Sequence, residues 1–319
     1  MLDKVIKAIE ENDSIVIFGH PFPDGDCYGS QIGLRDCLRL TFPDKKVYAV
    51  GSGYHRFHKR LGEMDEIGDD VIANSLAVLV DGNDLTRMED ARVYNAKCWA
   101  KIDHHVDTGH FNEGPQFIDE DANSTCQIIT RLIMKYHYKI NKNIAEALFL
   151  GILTDTGRFQ YVNDYISTFK EVSWLCEQGC EPEALNKILN ITYEPLLAFK
   201  GYVYSNYVKT EGGVIYLSLS KENLKNLGIP ANKAGSMVNL LSNVQGYPIW
   251  AFFCENEDGT NHAEFRSNGP AVQPVAARHG GGGHLQAAGV TLSDSKKETI
   301  QQIVDELDQV VSEYKEENE

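Results

Sequence analysis

Along the first half of the chain, apolar residues form short unbroken runs, separated by stretches in which they recur every three or four positions. The runs "SIVIF" (Ser14 to Phe18), "KVYAV" (Lys46 to Val50), "LAVLV" (Leu76 to Val80) and "AKCWAKI" (Ala96 to Ile102) have the length and β-branched content of buried strands. Between and after them the spacing turns helical. Residues 1–13 form an amphipathic pattern, Leu34, Cys37, Leu38 and Thr41 share one face, and Ile128, Ile129, Leu132, Ile133 and Tyr136 share another behind Ser124, a good helix cap. Strands alternating with helices predict a doubly wound, mostly parallel sheet. Helical patterns continue from Ile144 to about Tyr207, with Pro182 suited to a helix start. After Lys209 the texture changes. "VIYLSLS" (Val214 to Ser220), "PIWAFFCE" (Pro248 to Glu255) and "NHAEFRS" (Asn261 to Ser267) read as strands, residues 231–244 as a helix, and the chain closes with "GGGGHLQAAGVTL" and an amphipathic acidic helix. The expected fold class is α/β. A doubly wound domain over residues 1–188 is joined by a helical linker, 189–209, to a smaller α/β domain over 210–319.

Composition narrows the function. The 319 residues are 42% hydrophobic and 24% charged, as in soluble globular proteins, and no apolar run approaches membrane-spanning length. No membrane partner is expected, and the cytoplasm is the expected compartment. Seven cysteines with no C-x-x-C pair argue against a disulfide framework or a thiolate zinc site. A formal net charge of −16 argues against gripping long nucleic acid, which needs a basic surface to displace counterions. A nucleic-acid substrate would have to be short and held locally.

The candidate chemistry begins in "GHPFPDGDCYGS" (Gly19 to Ser30). Helical spacing would align His20 with Asp24, but Pro21 and Pro23 exclude a helix there, so His20, Asp24 and Asp26 are expected in a loop at the carboxyl end of a strand. That loop leads through Gly29 and Ser30 into the next helix. Asp81 follows "LAVLV", Asp103-His104-His105 follow "AKCWAKI", and Asp155 lies in "GILTDTGRF". Singly, each aspartate also reads as a turn or cap and each histidine as an ordinary hydrogen-bonding residue. In a doubly wound sheet, however, these strand ends converge on one crevice. Two carboxylates ~4 Å apart repel by about 4 kcal/mol at an effective dielectric of ~20, and no lysine or arginine lies between His20 and Ser30 to compensate. Two divalent ions would neutralise Asp24, Asp26, Asp81 and Asp155, with His20 and His104 adding nitrogen ligands. Paired metals ~3.5–4 Å apart are the usual apparatus for attack of water on phosphorus.

"GHPFPDGD", "VDGNDLTR", "DHH" and "GILTDTG", in that order, resemble the four motifs of the DHH phosphoesterases, and "FRSNG" with "GGGGHLQAAG" resembles the DHH-associated C-terminal domain. Length and architecture are most similar to the nanoRNase/pAp phosphatase group. The resemblance implies hydrolysis of short oligoribonucleotides to mononucleotides, and of 3′-phosphoadenosine 5′-phosphate (pAp) to AMP, in a cleft between the two domains. It implies two divalent ions, manganese first, with magnesium also admitted by oxygen-rich ligation. By position, His20 and Asp24 would hold one ion and Asp26, His104 and Asp155 the other, with Asp81 bridging. His105 would face the scissile phosphate and Asp103 would orient a neighbouring histidine.

The four glycines read by composition as flexible linker, or, followed by His284 and Ala287-Ala288-Gly289, as a backbone surface open to a phosphate. Arg266 reads as a surface charge or, by resemblance, as a ligand for the substrate's phosphate end, together with Ser267, Gly282, Gly283 and His284. Arg87 and Arg158 read equally as braces of the site or as substrate contacts. Two alternatives stay open: a phosphodiesterase acting on cyclic dinucleotides or pApA, and a non-catalytic nucleotide-binding protein. A homodimer is also left open.

Overall fold

Each apolar run of the first half becomes a strand, because a sheet covered on both faces needs apolar side chains on both. The structure, a computed structural model, describes residues 2–107 and 109–318; Met1 and Glu319, the outer ends of the two expected domains, lie outside the described residues. The chain divides into two compact units, Met1–Ile191 and Thr192–Glu319. The first unit runs α1 (Leu2–Glu11), β1 (Ser14–Phe18), α2 (Gly25–Thr41), β2 (Lys46–Val50), α3 (His58–Leu61), α4 (Asp69–Ala73) and β3 (Leu76–Val80). It continues through β4 (Cys98–Asp103), β5 (Gln116–Ile118), α5 (Thr125–Tyr136), α6 (Lys142–Asp155), α7 (Tyr165–Glu177) and α8 (Pro182–Asn190).

The five strands lie parallel in the order β2-β1-β3-β4-β5. Ile15, Ile17, Leu76 and Val78 face a core shared with α1, α2, α5 and α6, while Val16, Phe18, Ala77 and Leu79 face a second core with Ile72, Val93 and Phe111. Strand order reverses between β1 and β3, so the crevice outside their carboxyl ends is the topological switch point where such sheets bind ligands.

Two differences from the sequence reading bear on that crevice. The helix after β1 begins at Gly25, well before Ser30, because Asp24 caps it by accepting the N–H groups of Asp26 (2.9 Å) and Cys27 (3.0 Å). Asp26 therefore sits in the first helical turn, fully buried, and not in the loop. The helix α2 then approaches α6 closely: a Cβ on Gly29 would lie 2.3 Å from the Ala147 carbonyl oxygen, and one on Gly151 would lie 2.5 Å from Asp26 Oδ1. Glycine at these contacts lets the helix bearing Asp26 and the helix ending in Asp155 pack backbone to backbone.

The second unit runs α9 (Pro195–Asn206), β6 (Val208–Lys209), β7 (Val214–Leu219), α10 (Lys221–Leu227), α11 (Ala231–Gly235), β8 (Ile249–Glu255) and β9 (Asn261–Ser267). Then follow α12 (Gln273–Arg278), β10 (Gly282–His284), β11 (Ala287–Leu292) and α13 (Lys297–Asn318). Its sheet has the order β10-β11-β9-β8-β7-β6 and is antiparallel except for the β7–β8 pair. Ile303, Val304 and Leu307 of α13 pack on Phe253 and Phe265, and Phe199 and Val203 of α9 pack with Leu217 and Phe252. Residues 231–244 are not one helix: α11 stops at Gly235-Ser236, both weak helix formers, and only a short 3₁₀ turn follows at 238–241. The four glycines are not a linker but lead into the edge hairpin β10–β11, where Gly283 has φ +131° and no room for a Cβ beside the Ala287 carbonyl.

Candidate metal centre

Neighbouring strands deliver the side chains. His20 follows β1, Asp81 follows β3 in a left-handed conformation (φ +57°), Asp103 ends β4 with His104 and His105 immediately after it, and Asp155 is the last residue of α6. Aspartate is among the few residues that tolerate left-handed φ, and such conformations cluster at functional sites. Asp81 turns one oxygen to each side: Oδ2 lies 3.4 Å from His20 Nε2, and Oδ1 lies 3.5 Å from His104 Nε2 and 3.6 Å from His105 Nδ1. His104 Nε2 also lies 3.4 Å from Asp155 Oδ2 and 3.8 Å from Asp26 Oδ2. Among the described residues three donor groups result, His20–Cys27–Asp81, Asp81–His104–His105 and Asp26–His104–Asp155, each with ligand atoms within 4.8 Å of one another.

The electrostatics ask for a cation. Burial holds His104 below its ordinary pKa, so the ring is neutral, and Nδ1 points at the Ala122 carbonyl (3.4 Å). With the proton assigned there, the Nε2 lone pair faces three carboxylates and has no hydrogen-bond partner, although it is buried. Burial together with the charges of Asp81 and Asp155 pushes Asp26 well above the usual carboxylate range, and burial with Asp24 and Asp81 does the same to Asp155. Against the cost of its burial, Asp81 is held low by the His20 hydrogen bond and the neighbouring His104 and His105. Oxygen and imidazole donors around an unpartnered nitrogen, with excess buried acid, are the donor set of a divalent transition metal or magnesium site.

Asp24 stands apart. It is exposed, its Oδ1 caps α2, and it belongs to none of the three donor groups. Asp103 Oδ1 lies 2.9 Å from His105 Nδ1 and accepts the His105 backbone N–H at 3.2 Å, so the carboxylate aims the ring. This bond, working against burial, raises the His105 pKa. Asp103 Oδ2 faces the Asn83 carboxamide at 3.2 Å in the amide orientation that satisfies both groups.

Several residues at the site escaped the sequence reading. The backbone N–H groups of Thr125 and Cys126 donate to Asp26 at 2.7 and 2.8 Å, and the Thr125 hydroxyl donates to Asp81 Oδ1 at 3.2 Å. Asp26 thus sits at the positive N-terminus of α5. The Ser124 cap, which accepts the Gln127 N–H at 3.0 Å, marked that helix start, but nothing in the order of residues says which carboxylate meets it. Cys27 and Asn83 were likewise passed over.

In the second unit, His284 pairs with Ala287 and Ala287 pairs with Arg266, so small Ala287 separates Arg266 and His284 in one cross-strand row. Arg266 Nη1 bonds Glu264 Oε2 (2.8 Å) and the Phe265 carbonyl (2.8 Å); its Nε and Nη2 have no protein acceptor among the described residues. Gly282, Gly283 and His284 are exposed. The Ser267 hydroxyl donates to the Pro270 carbonyl at 2.5 Å and is buried. Arg87 is exposed beside the metal centre, and Arg158 donates to Asn190 at 2.7 Å.

Residues 14–152 match the DHH family N-terminal domain and residues 211–313 the DHHA1 domain. The chain is 35% identical over 310 residues to the bifunctional oligoribonuclease and PAP phosphatase NrnA of Mycoplasma pneumoniae, covering 95% of this chain and 94% of that one. It is 32% identical over 302 residues to the protein of the same name from Bacillus subtilis, covering 92% and 93%. An exopolyphosphatase-related protein from Bacteroides fragilis superposes with a TM-score of 0.82 at 26% identity, covering 97% of this chain and 95% of the other. With its motifs in order, their side chains gathered at one switch point and full-length relatives above 30% identity, this chain belongs to the DHH family.

Proposed function

We propose that this protein is a metal-dependent phosphoesterase that hydrolyses short oligoribonucleotides to mononucleotides and pAp to AMP. The observation that carries the reading is the buried His104 Nε2, unpartnered and facing Asp26, Asp81 and Asp155. Among the described residues no lysine or arginine pairs with these three carboxylates. Two divalent ions, manganese or magnesium, would supply the missing positive charge, and when bound they lower the pKa of a water and offset charge on the phosphoryl oxygens. His20 and Asp24 are assigned to one ion, Asp26, His104 and Asp155 to the other, and Asp81, with one oxygen toward each histidine, to both.

The chain's own groups do the rest. Asp103 fixes the His105 ring and favours its charged form, which places His105 to meet a phosphate in the cleft that it lines. Thr125 and Cys126 hold Asp26 in one rotamer through backbone N–H groups that cannot drift. The row of Arg266 and His284, with Ser267, Gly282 and Gly283 around it, is assigned to the substrate's other phosphate, for which the unused guanidinium edge of Arg266 is suited. Ser267 acts there by shaping the strand end, since its hydroxyl and its backbone N–H are both engaged, by the Pro270 and Gln286 carbonyls.

The test is hydrolysis of pAp, pApA, a short RNA and a long RNA, each with manganese, with magnesium and after chelation. Rapid turnover of the short substrates, slow turnover of the long one and loss on chelation are expected. Activity that survives complete chelation, or a preference for long RNA, would refute the proposal, and a preference for cyclic dinucleotides would reassign the substrate.

A further inference from the structure

The loop that carries His20 also carries Phe22, and nothing among the described residues accounts for that side chain. Phe22 is 91% exposed, more than any other large apolar side chain among the described residues, and its backbone is left-handed at φ +57°. A bulky residue in that conformation is a genuine outlier, and an exposed phenyl ring gains nothing from the hydrophobic effect in the free protein. Pro21 and Pro23 flank it with fixed φ, so the ring stands on a stiffened stretch of chain. Phe22 lines the cleft of about 420 Å³ that is also lined by His20, Asp81, His105, Thr86 and Arg87. A cleft of that size suits a small ligand. The side chain of Arg87, in the short 3₁₀ turn Leu85–Arg87, is exposed, and its guanidinium makes no hydrogen bond or ion pair with the protein among the described residues. An aromatic face and a free guanidinium beside a phosphate-handling centre are what a single-stranded nucleotide needs, since bases stack on aromatic rings irrespective of sequence.

We infer that Phe22 is a stacking platform for a nucleobase next to the scissile phosphate and that Arg87 pairs with the phosphate of the same nucleotide. The inference rests on the phosphoesterase reading above and extends it: the base is held by its flat face, so short substrates are accepted with little base preference.

The experiment compares kcat/KM of wild type, Phe22→Ala, Phe22→Trp and Arg87→Ala on pApA and on its two counterparts in which one base at a time is replaced by hydrogen. Wild type should lose roughly five- to hundredfold on one of the two base-free counterparts. Phe22→Ala should lose the same factor on pApA and nothing further on that counterpart. Phe22→Trp should keep the wild-type value, and Arg87→Ala should lose on all three substrates. Metal content and melting temperature of the Phe22 variants should not move, since the residue is almost fully exposed. Phe22→Ala that cleaves pApA as fast as wild type, or that loses equally with and without either base, overturns the inference while leaving the phosphoesterase reading intact. Wild type that cleaves none of the three overturns both.

Discussion

Asp81 shows how much one residue can decide. Its two oxygens face different histidines, so Asp81→Ala should remove donors from both halves of the centre and leave Asp26 and Asp155 poorly compensated. Bound metal and activity should fall together; a variant that retains two ions per chain and near-normal turnover would contradict the bridging assignment. The adjacent histidines should separate instead. His104 offers an unpartnered nitrogen to three carboxylates, whereas His105 is tied to Asp103, so His104→Ala should weaken metal affinity and His105→Ala should chiefly lower kcat. Metal titration of both variants checks this, and an equal loss of affinity would remove the distinction. Arg266→Ala should cost one charge-assisted contact, ~1.5–3 kcal/mol or roughly ten- to a hundredfold in kcat/KM, on pApA. It should cost little on a phosphodiester with no second phosphate. Equal losses on the two would mean that Arg266 supports the fold through Glu264 and not the substrate.

At the scale of elements, the contact between α2 and α6 sets the distance between Asp26 and Asp155. Gly29→Ala would push a methyl against the Ala147 carbonyl, a backbone atom with nowhere to go, and such overpacking costs about 1–3 kcal/mol. Thermal denaturation should show the lower melting temperature, and metal affinity should fall with it because the two helices carry opposite sides of one donor group. An unchanged melting temperature would mean that the helices can separate freely and that the glycines have another purpose. The recurrence of Gly25, Gly29 and Gly33 at four-residue spacing was visible in the sequence, and it is the signal that could have paired these helices in advance. The strands were easier to read, because a sheet covered on both faces leaves an unbroken apolar run. The short strands β5, β6 and β10 carry no such mark.

For the whole molecule, the buried acid couples stability to pH and metal. Asp26 and Asp155 have carboxyls raised well above the ~3.9 of an unfolded aspartate, and His20 is raised to about 12 despite its burial, chiefly by the Asp81 hydrogen bond. All three favour the protonated form in the folded, metal-free protein. Their stabilising protons are lost as pH rises through the folded values, so the metal-free fold weakens toward alkaline pH. A bound cation replaces those protons. The rise in melting temperature on saturation with manganese should therefore be larger at pH 8.5 than at pH 7, and an equal rise at both would refute the linkage. What the sequence determined by itself was local: apolar runs that must be strands, prolines that forbid a helix around His20, and acid without a matching base, which calls for metal. Tertiary structure alone decided that Asp26 lies at the start of α5, that His104 Nε2 has no partner, that Arg266 and His284 share one cross-strand row, and that Phe22 has none of the cover its chemistry would seek. Each of these depends on residues far apart in the chain meeting in space, and the order of residues does not encode such meetings one position at a time.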